Sequence, residues 1–147
     1  MIMNPRVAYF NSQIGKDKWQ YPYPLMDWMR AQVVEAEEGY LKMEFTVSDY
    51  MLNPLKILHG GIAATMLDEL MGAAGFLMNR PVGYATINMN VDYLNSAREH
   101  EVLSGEGRIL RSGKTVFHAE AKLMNKDGKI VAKATSNLIA TTIPVAL

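Results

Sequence analysis

Two hydrophobic periods divide this chain. Between positions 41 and 48, Leu41, Met43, Phe45 and Val47 alternate with Lys42, Glu44, Thr46 and Ser48. That is the period of a strand with one face buried. Positions 32–36 read as a preceding strand, and Glu37-Glu38-Gly39 as the turn that makes the two a hairpin. From about 60 to 78 the alternation vanishes: Ile62, Met66, Leu67, Leu70, Met71, Ala73, Ala74 and Phe76 leave only Asp68 and Glu69 as charges. A helix apolar nearly all round should be enclosed. Gly72 and Gly75 each cost roughly 1 kcal/mol of helix propensity, which predicts that something packs close to the backbone there. After Asn79-Arg-Pro-Val-Gly83, alternation resumes over 84–94, with Ala85, Ile87, Met89, Val91 and Tyr93 expected on one face. Strands over 101–110, 115–123 and 129–142 follow, the last two joined by the turn Asn125-Lys-Asp-Gly128.

Upstream, the first dozen residues read as an irregular lead-in. Tyr21-Pro-Tyr-Pro24 should stop any helix before it, and 24–30 fits a short helix with Pro at its start and Leu25, Trp28 and Met29 on one face. The order is helix, two strands, one long buried helix, four strands. A mostly antiparallel α+β sheet curled around a single central helix satisfies it. The 147 residues suit one domain spanning 1–147, with a core of about 31–142.

Composition narrows the function. Lys+Arg and Asp+Glu balance at 15 each, which gives no net charge to attract nucleic acid. The absence of cysteine removes disulfides, thiolate metal sites and a cysteine nucleophile. His59, His100 and His118 show no paired metal-ligand spacing, so no metal or redox cofactor is expected. The N-terminus lacks a signal-peptide pattern and no apolar run reaches membrane-span length, so a cytoplasmic protein with no membrane partner is expected.

Candidate chemistry gathers in Asn53-Pro-Leu-Lys-Ile-Leu-His-Gly-Gly61 and the helix behind it. Gly60 and Gly61 open a helix whose first-turn N–H groups have no intrahelical partner and carry the positive end of its dipole. Aimed at an oxyanion, one such donor is worth roughly 3 kcal/mol. Asp68 sits among Ala64, Leu67, Met71 and Gly75, and a buried acid is rare without a task. A partly dry site strengthens a carboxylate as a base. His59 reads either as a helix cap or as a site residue. Asn53-Pro54 reads as a turn, Thr86 as an ordinary strand residue, and Arg111 to Thr115 as a polar hairpin.

Leu58-His-Gly-Gly-Ile-Ala-Ala-Thr-Met-Leu-Asp68, the strand Asn88-Met-Asn-Val-Asp-Tyr93 and Arg111-Ser-Gly-Lys-Thr115, in this element order, resemble the hotdog-fold acyl-CoA thioesterases of the PaaI-like (phenylacetic acid degradation) group. The resemblance covers about 31–142. It implies hydrolysis of an acyl-CoA to a free acid and CoA, with CoA as part of the substrate. It implies Asp68 as general base on water or as nucleophile, the base being favoured, and Gly60 as donor to the thioester oxygen with Gly61 beside the substrate. His59 would orient the site or steady the departing thiolate. Asn53 would contact the carbonyl or nearby water, and Thr86 falls where one branch of the family has a Ser that orients that water. Arg111, Ser112, Gly113, Lys114 and Thr115 would lie near the CoA nucleotide. The resemblance also implies a homo-oligomer, a dimer with one continuous sheet or a homotetramer built as a dimer of dimers. A hotdog hydratase would need a His–acid pair that has no matching motif here. A non-catalytic acyl-CoA-binding or sensing module is the alternative.

Gly60 and Asp68 are eight residues apart on one helix, about 12 Å at 1.5 Å per residue. That is too far to grip one carbonyl, so a site using both residue types is expected to combine two chains.

Overall fold

The computed structural model describes residues 2–18 and 23–146. Tyr21 and Pro22 of the expected helix stop lie outside them. Six strands form one antiparallel sheet in the order β1-β2-β4-β5-β6-β3: β1 Ala31–Glu37, β2 Tyr40–Thr46, β3 Val82–Tyr93, β4 Val102–Ser112, β5 Val116–Met124 and β6 Ile130–Pro144. The helix α3, Gly60–Phe76, lies across the inner face. Its buried side chains Met66, Leu67, Leu70 and Met71 meet Phe45, Leu103, Phe117 and Leu123 in one core.

The close approach of helix to sheet comes from the opposite partner to the one expected. A Cβ on Gly72 would meet nothing within 4 Å, and one on Gly75 would make ordinary contact with Phe117 at 3.6 Å. The tight positions are on β4. A Cβ on Gly107 would fall 2.3 Å from the Leu70 carbonyl oxygen, and one on Gly105 2.7 Å from the Leu70 side chain. Strand glycines at such points mark close backbone approach.

The lead-in is a helix. α1, Pro5–Ser12, is capped by Asn4, whose side-chain oxygen accepts from the N–H groups of Arg6 and Val7. Its buried face carries Arg6 and Phe10. A charge where an apolar residue belongs hides the helical period. α2, Pro24–Trp28, starts at its proline as expected, but the buried side chains are Met26 and Met29. Leu25 and Trp28 are each 40% exposed, and Trp28 packs on the Tyr50 ring instead.

The expected face of β3 also divides. Up to Thr86 the register runs Tyr84↔Ala140 and Thr86↔Leu138, and from Asn88 it runs Asn88↔Asn137 and Met89↔Ser136. Ile87 is the extra residue of a β-bulge. A bulge exchanges the two faces of a strand beyond it. Tyr84, Met89 and Val91 therefore pack on the core, while Ala85, which pairs with exposed Ile139, lies on the other face.

Among the described residues no helix is long and apolar enough to cross a membrane, and no His/Asp/Glu cluster could hold a metal ion.

Candidate active site

The bulge places the chemistry. With unbroken alternation Thr86 would share the face of Asn88 and Asn90, away from α3. The extra residue turns it inward, and its hydroxyl donates to Asp68 Oδ1 at 2.8 Å. Asp68 is half-buried. Both residues line a cavity of about 350 Å³ between α3 and the β3 end of the sheet. Its α3 wall follows Asp68, Glu69, Gly72, Ala73 and Phe76, and Tyr84 and Leu138 stand on the sheet side. One Asp68 oxygen is fixed by Thr86, which leaves the other to accept a proton from water. Met26, Met29, Met43, Met51, Met66 and Met71 are wholly buried core residues, and none lines this cavity.

The start of α3 is a separate place. His59 is its N-cap, and its Nδ1 accepts from the Gly61 N–H at 2.9 Å. An imidazole nitrogen that accepts is unprotonated, so the neutral ring carries its proton on Nε2. Ile62 and Ala63 donate to the His59 carbonyl. That leaves the Gly60 N–H with no hydrogen-bond partner among the described residues, at the positive end of the helix. The capping role of His59 is thus filled, and Gly60 rather than Gly61 is the open donor. Asn53 organises the loop before the helix: its Oδ1 accepts from Leu55 and Ile57 N–H. Neither Asn53, His59 nor Gly60 lines the Asp68 cavity.

Arg111 and Ser112 end β4, and Gly113 to Thr115 form the expected turn, closed by Gly113 N–H donating to the Val116 carbonyl. Arg111, Ser112, Lys114 and Thr115 are exposed, and Ser112 Oγ accepts from Arg80. None of these five lines the cavity.

A family model described as the thioesterase superfamily matches residues 55–132, from the Asn53 loop into β6. The chain belongs to the thioesterase superfamily. Acyl-coenzyme A thioesterase 13 of Mus musculus is 31% identical over 105 residues, covering 71% of this chain and 75% of that protein. The PaaI protein of the E. coli phenylacetic acid degradation operon superposes with a TM-score of 0.82 over 99% of this chain and 100% of that one, at 14% identity. A Streptococcus mutans protein bound to acetyl CoA superposes at 0.73, with 25% identity over 78% of this chain and 91% of that one. The fold is the hotdog fold, and this thioesterase is a PaaI-like thioester hydrolase.

Two further residues at these places were not legible from spacing. Glu69, the other charge of the apolar helix, lines the cavity beside Asp68 and accepts from the Tyr23 hydroxyl at 2.5 Å. Burial holds its carboxyl above the ordinary glutamate range. The Asp68 charge adds to that, and the Tyr23 hydrogen bond opposes it. A second acid in an apolar helix is the signal that could have found it. Tyr93 donates to the Gly60 carbonyl at 2.9 Å, with its ring 3.4 Å from where a Gly60 Cβ would stand. It ties the helix start to the far end of β3, a contact that no sequence spacing shows.

Proposed function

We propose that this thioesterase hydrolyses an acyl-CoA to a carboxylic acid and CoA, at a site built from two copies of the chain. The hydroxyl–carboxylate pair Thr86–Asp68 on the wall of the cavity between α3 and β3 carries the proposal. Asp68 accepts a proton from water while the water oxygen bonds to the thioester carbonyl carbon. The carbonyl oxygen becomes an oxyanion and takes a hydrogen bond from a Gly60 N–H. The carbonyl then re-forms, the C–S bond breaks, and CoA leaves as thiolate. Thr86 keeps the base oriented, and its oxygen can still accept from the same water.

The Gly60 N–H comes from the second copy. Within one chain it lies about 12 Å along α3 from Asp68, outside the Asp68 cavity. β3 supplies the joint. Among the described residues it is the last strand of the sheet, with one edge unpaired, and none of its residues is fully buried. Asp68 is tied to Thr86 near the strand's start and Gly60 to Tyr93 at its end. Antiparallel pairing of two β3 edges carries the Tyr93 end of one chain toward the Thr86 end of the other. Asn53 and His59 then serve by holding the loop and cap that present Gly60. The exposed Arg111 to Thr115 hairpin is assigned to the CoA nucleotide, where cations meet phosphates.

Thiol release from a panel of acyl-CoAs tests the activity. Asp68→Asn should lower kcat by about a thousandfold with its thermal unfolding unchanged. A variant as fast as the parent would remove Asp68 from the mechanism. Tight acyl-CoA binding with no thiol release on any substrate would make the protein a binding module.

A further inference from the structure

α1 lies at the opposite end of the cavity from the Asp68–Thr86 pair. Arg6 and Phe10 both line that end, and they are only 5% and 6% exposed. The Arg6 guanidinium sits 4.3 Å over the Phe76 ring and donates to the Phe76 and Val145 carbonyls at 3.0 Å each. The Asn4 amide donates to the Leu77 carbonyl at 2.8 Å. A cation and an amide thus satisfy the carbonyls that α3 leaves open at its negative end. Asn11 secures the other end of α1 by bonding both backbone groups of Ala36. Phe10 packs on Phe76, ring centroids 6.1 Å apart.

We propose that α1 is the end stop of the acyl pocket, with Phe10 setting how long an acyl group this enzyme accepts. This rests on the thioesterase reading above, which puts the reacting carbonyl beside Asp68. From Asp68 the acyl group runs along the α3 wall over Gly72 to Phe76. Asp68 to Phe76 spans eight residues, about 12 Å. A single ring or a medium-length chain ends inside that distance, whereas a long fatty chain meets the Phe10 ring. Gly72 serves the same path. A Cβ there would meet no neighbouring atom within 4 Å, so the missing side chain is open channel rather than close packing.

The substrate class is therefore acyl groups that terminate within the cavity, and two residues should move the limit in opposite directions. The test is kcat/KM across straight-chain acyl-CoAs from acetyl to hexadecanoyl, for the parent, Phe10→Ala and Gly72→Leu. In the parent, efficiency should rise to a medium-length optimum and fall for hexadecanoyl. Phe10→Ala should raise the hexadecanoyl-to-octanoyl ratio roughly tenfold, and Gly72→Leu should lower the octanoyl-to-acetyl ratio by a similar factor, since each methylene gained or lost in an apolar pocket changes discrimination strongly. Gly72→Leu also improves helix propensity, so it keeps the test alive if Phe10→Ala folds poorly. Dissociation constants of the same acyl-CoAs, by calorimetry, form a second arm. If thiol release is absent but the affinity profile shifts with both variants, hydrolysis is wrong and the end stop stands. If both profiles keep the parent's shape in Gly72→Leu, and in any Phe10→Ala that folds, the end stop is wrong.

Discussion

The two edges of the sheet are built in opposite ways. At one edge, β1 is seven residues long, its register shifts at Val34, and the Ala36 N–H and C=O that face outward are both taken by the Asn11 side chain. Short length, a bulge and a covering element are the means by which proteins keep an edge from pairing. At the other edge, β3 runs for twelve residues with no strand of the described residues paired to its open side. Ile87 and Tyr93 on it are 54% and 56% exposed. In the two-chain site proposed above, this open edge is the one that meets the second copy. The candidate site explains the choice. Thr86 and Tyr93, which hold Asp68 and the Gly60 turn, are both residues of the open edge strand.

The largest expected effect comes from a charge placed on the open edge. Ile87→Lys should dissociate the assembly in sedimentation and lower thiol release about a hundredfold at low protein concentration, the loss expected when an oxyanion donor is removed. Val34→Lys, at the bulge of the guarded edge, should change neither. Equal behaviour of the two variants would erase the contrast between the edges.

A smaller effect should follow from opening the guarded edge. Asn11→Ala leaves two Ala36 backbone groups without their partner and should destabilise the fold by about 1–3 kcal/mol, read from the urea midpoint. Aggregation of this variant through β1 would sharpen the comparison, because it would show what Asn11 prevents.

The smallest effect concerns Glu69, on the cavity wall behind β3. Its pKa is raised by folding, chiefly through burial. The folded state therefore holds this proton more tightly than the unfolded chain, and stability falls as pH rises through and above the ordinary glutamate range. Glu69→Gln keeps an acceptor for Tyr23 and removes that penalty. It should be more stable than the parent at neutral pH, with the advantage shrinking as pH falls below that range. A difference independent of pH would contradict the assignment.

How much of this was legible in the sequence depended on which interactions were local. α3 was readable because its enclosure imposes apolar residues on every side, so Asp68 stood out. The alternation of Leu41 to Ser48 survived because β2 is regular. β3 was readable as a strand but not by face, since one extra residue at Ile87 exchanges the faces and leaves no mark in composition. That same exchange brings Thr86 to Asp68, a pairing with no basis in simple alternation. α1 was missed because its inward face carries Arg6, and a guanidinium becomes a sensible buried group only once the carbonyls of Phe76 and Val145 are placed around it. The glycine expectation failed in an instructive direction: Gly105 and Gly107 on β4 make room for α3, while Gly72 makes room for a ligand.

The central claim is that each site takes Asp68 from one chain and the Gly60 N–H from another, and chain mixing tests it most directly. Gly60→Pro removes that N–H with little disturbance. Proline suits the first helical position, and His59 before it already has the extended backbone, φ −62° and ψ 133°, that precedes proline. Homomers of Asp68→Asn and of Gly60→Pro should each be nearly inactive. Co-expressed, the two chains form mixed dimers in which one of the two sites keeps both an intact Asp68 and an intact Gly60, so thiol release should return to a substantial fraction of the parent's. Mixed dimers that form and remain as inactive as either homomer would contradict the two-chain site.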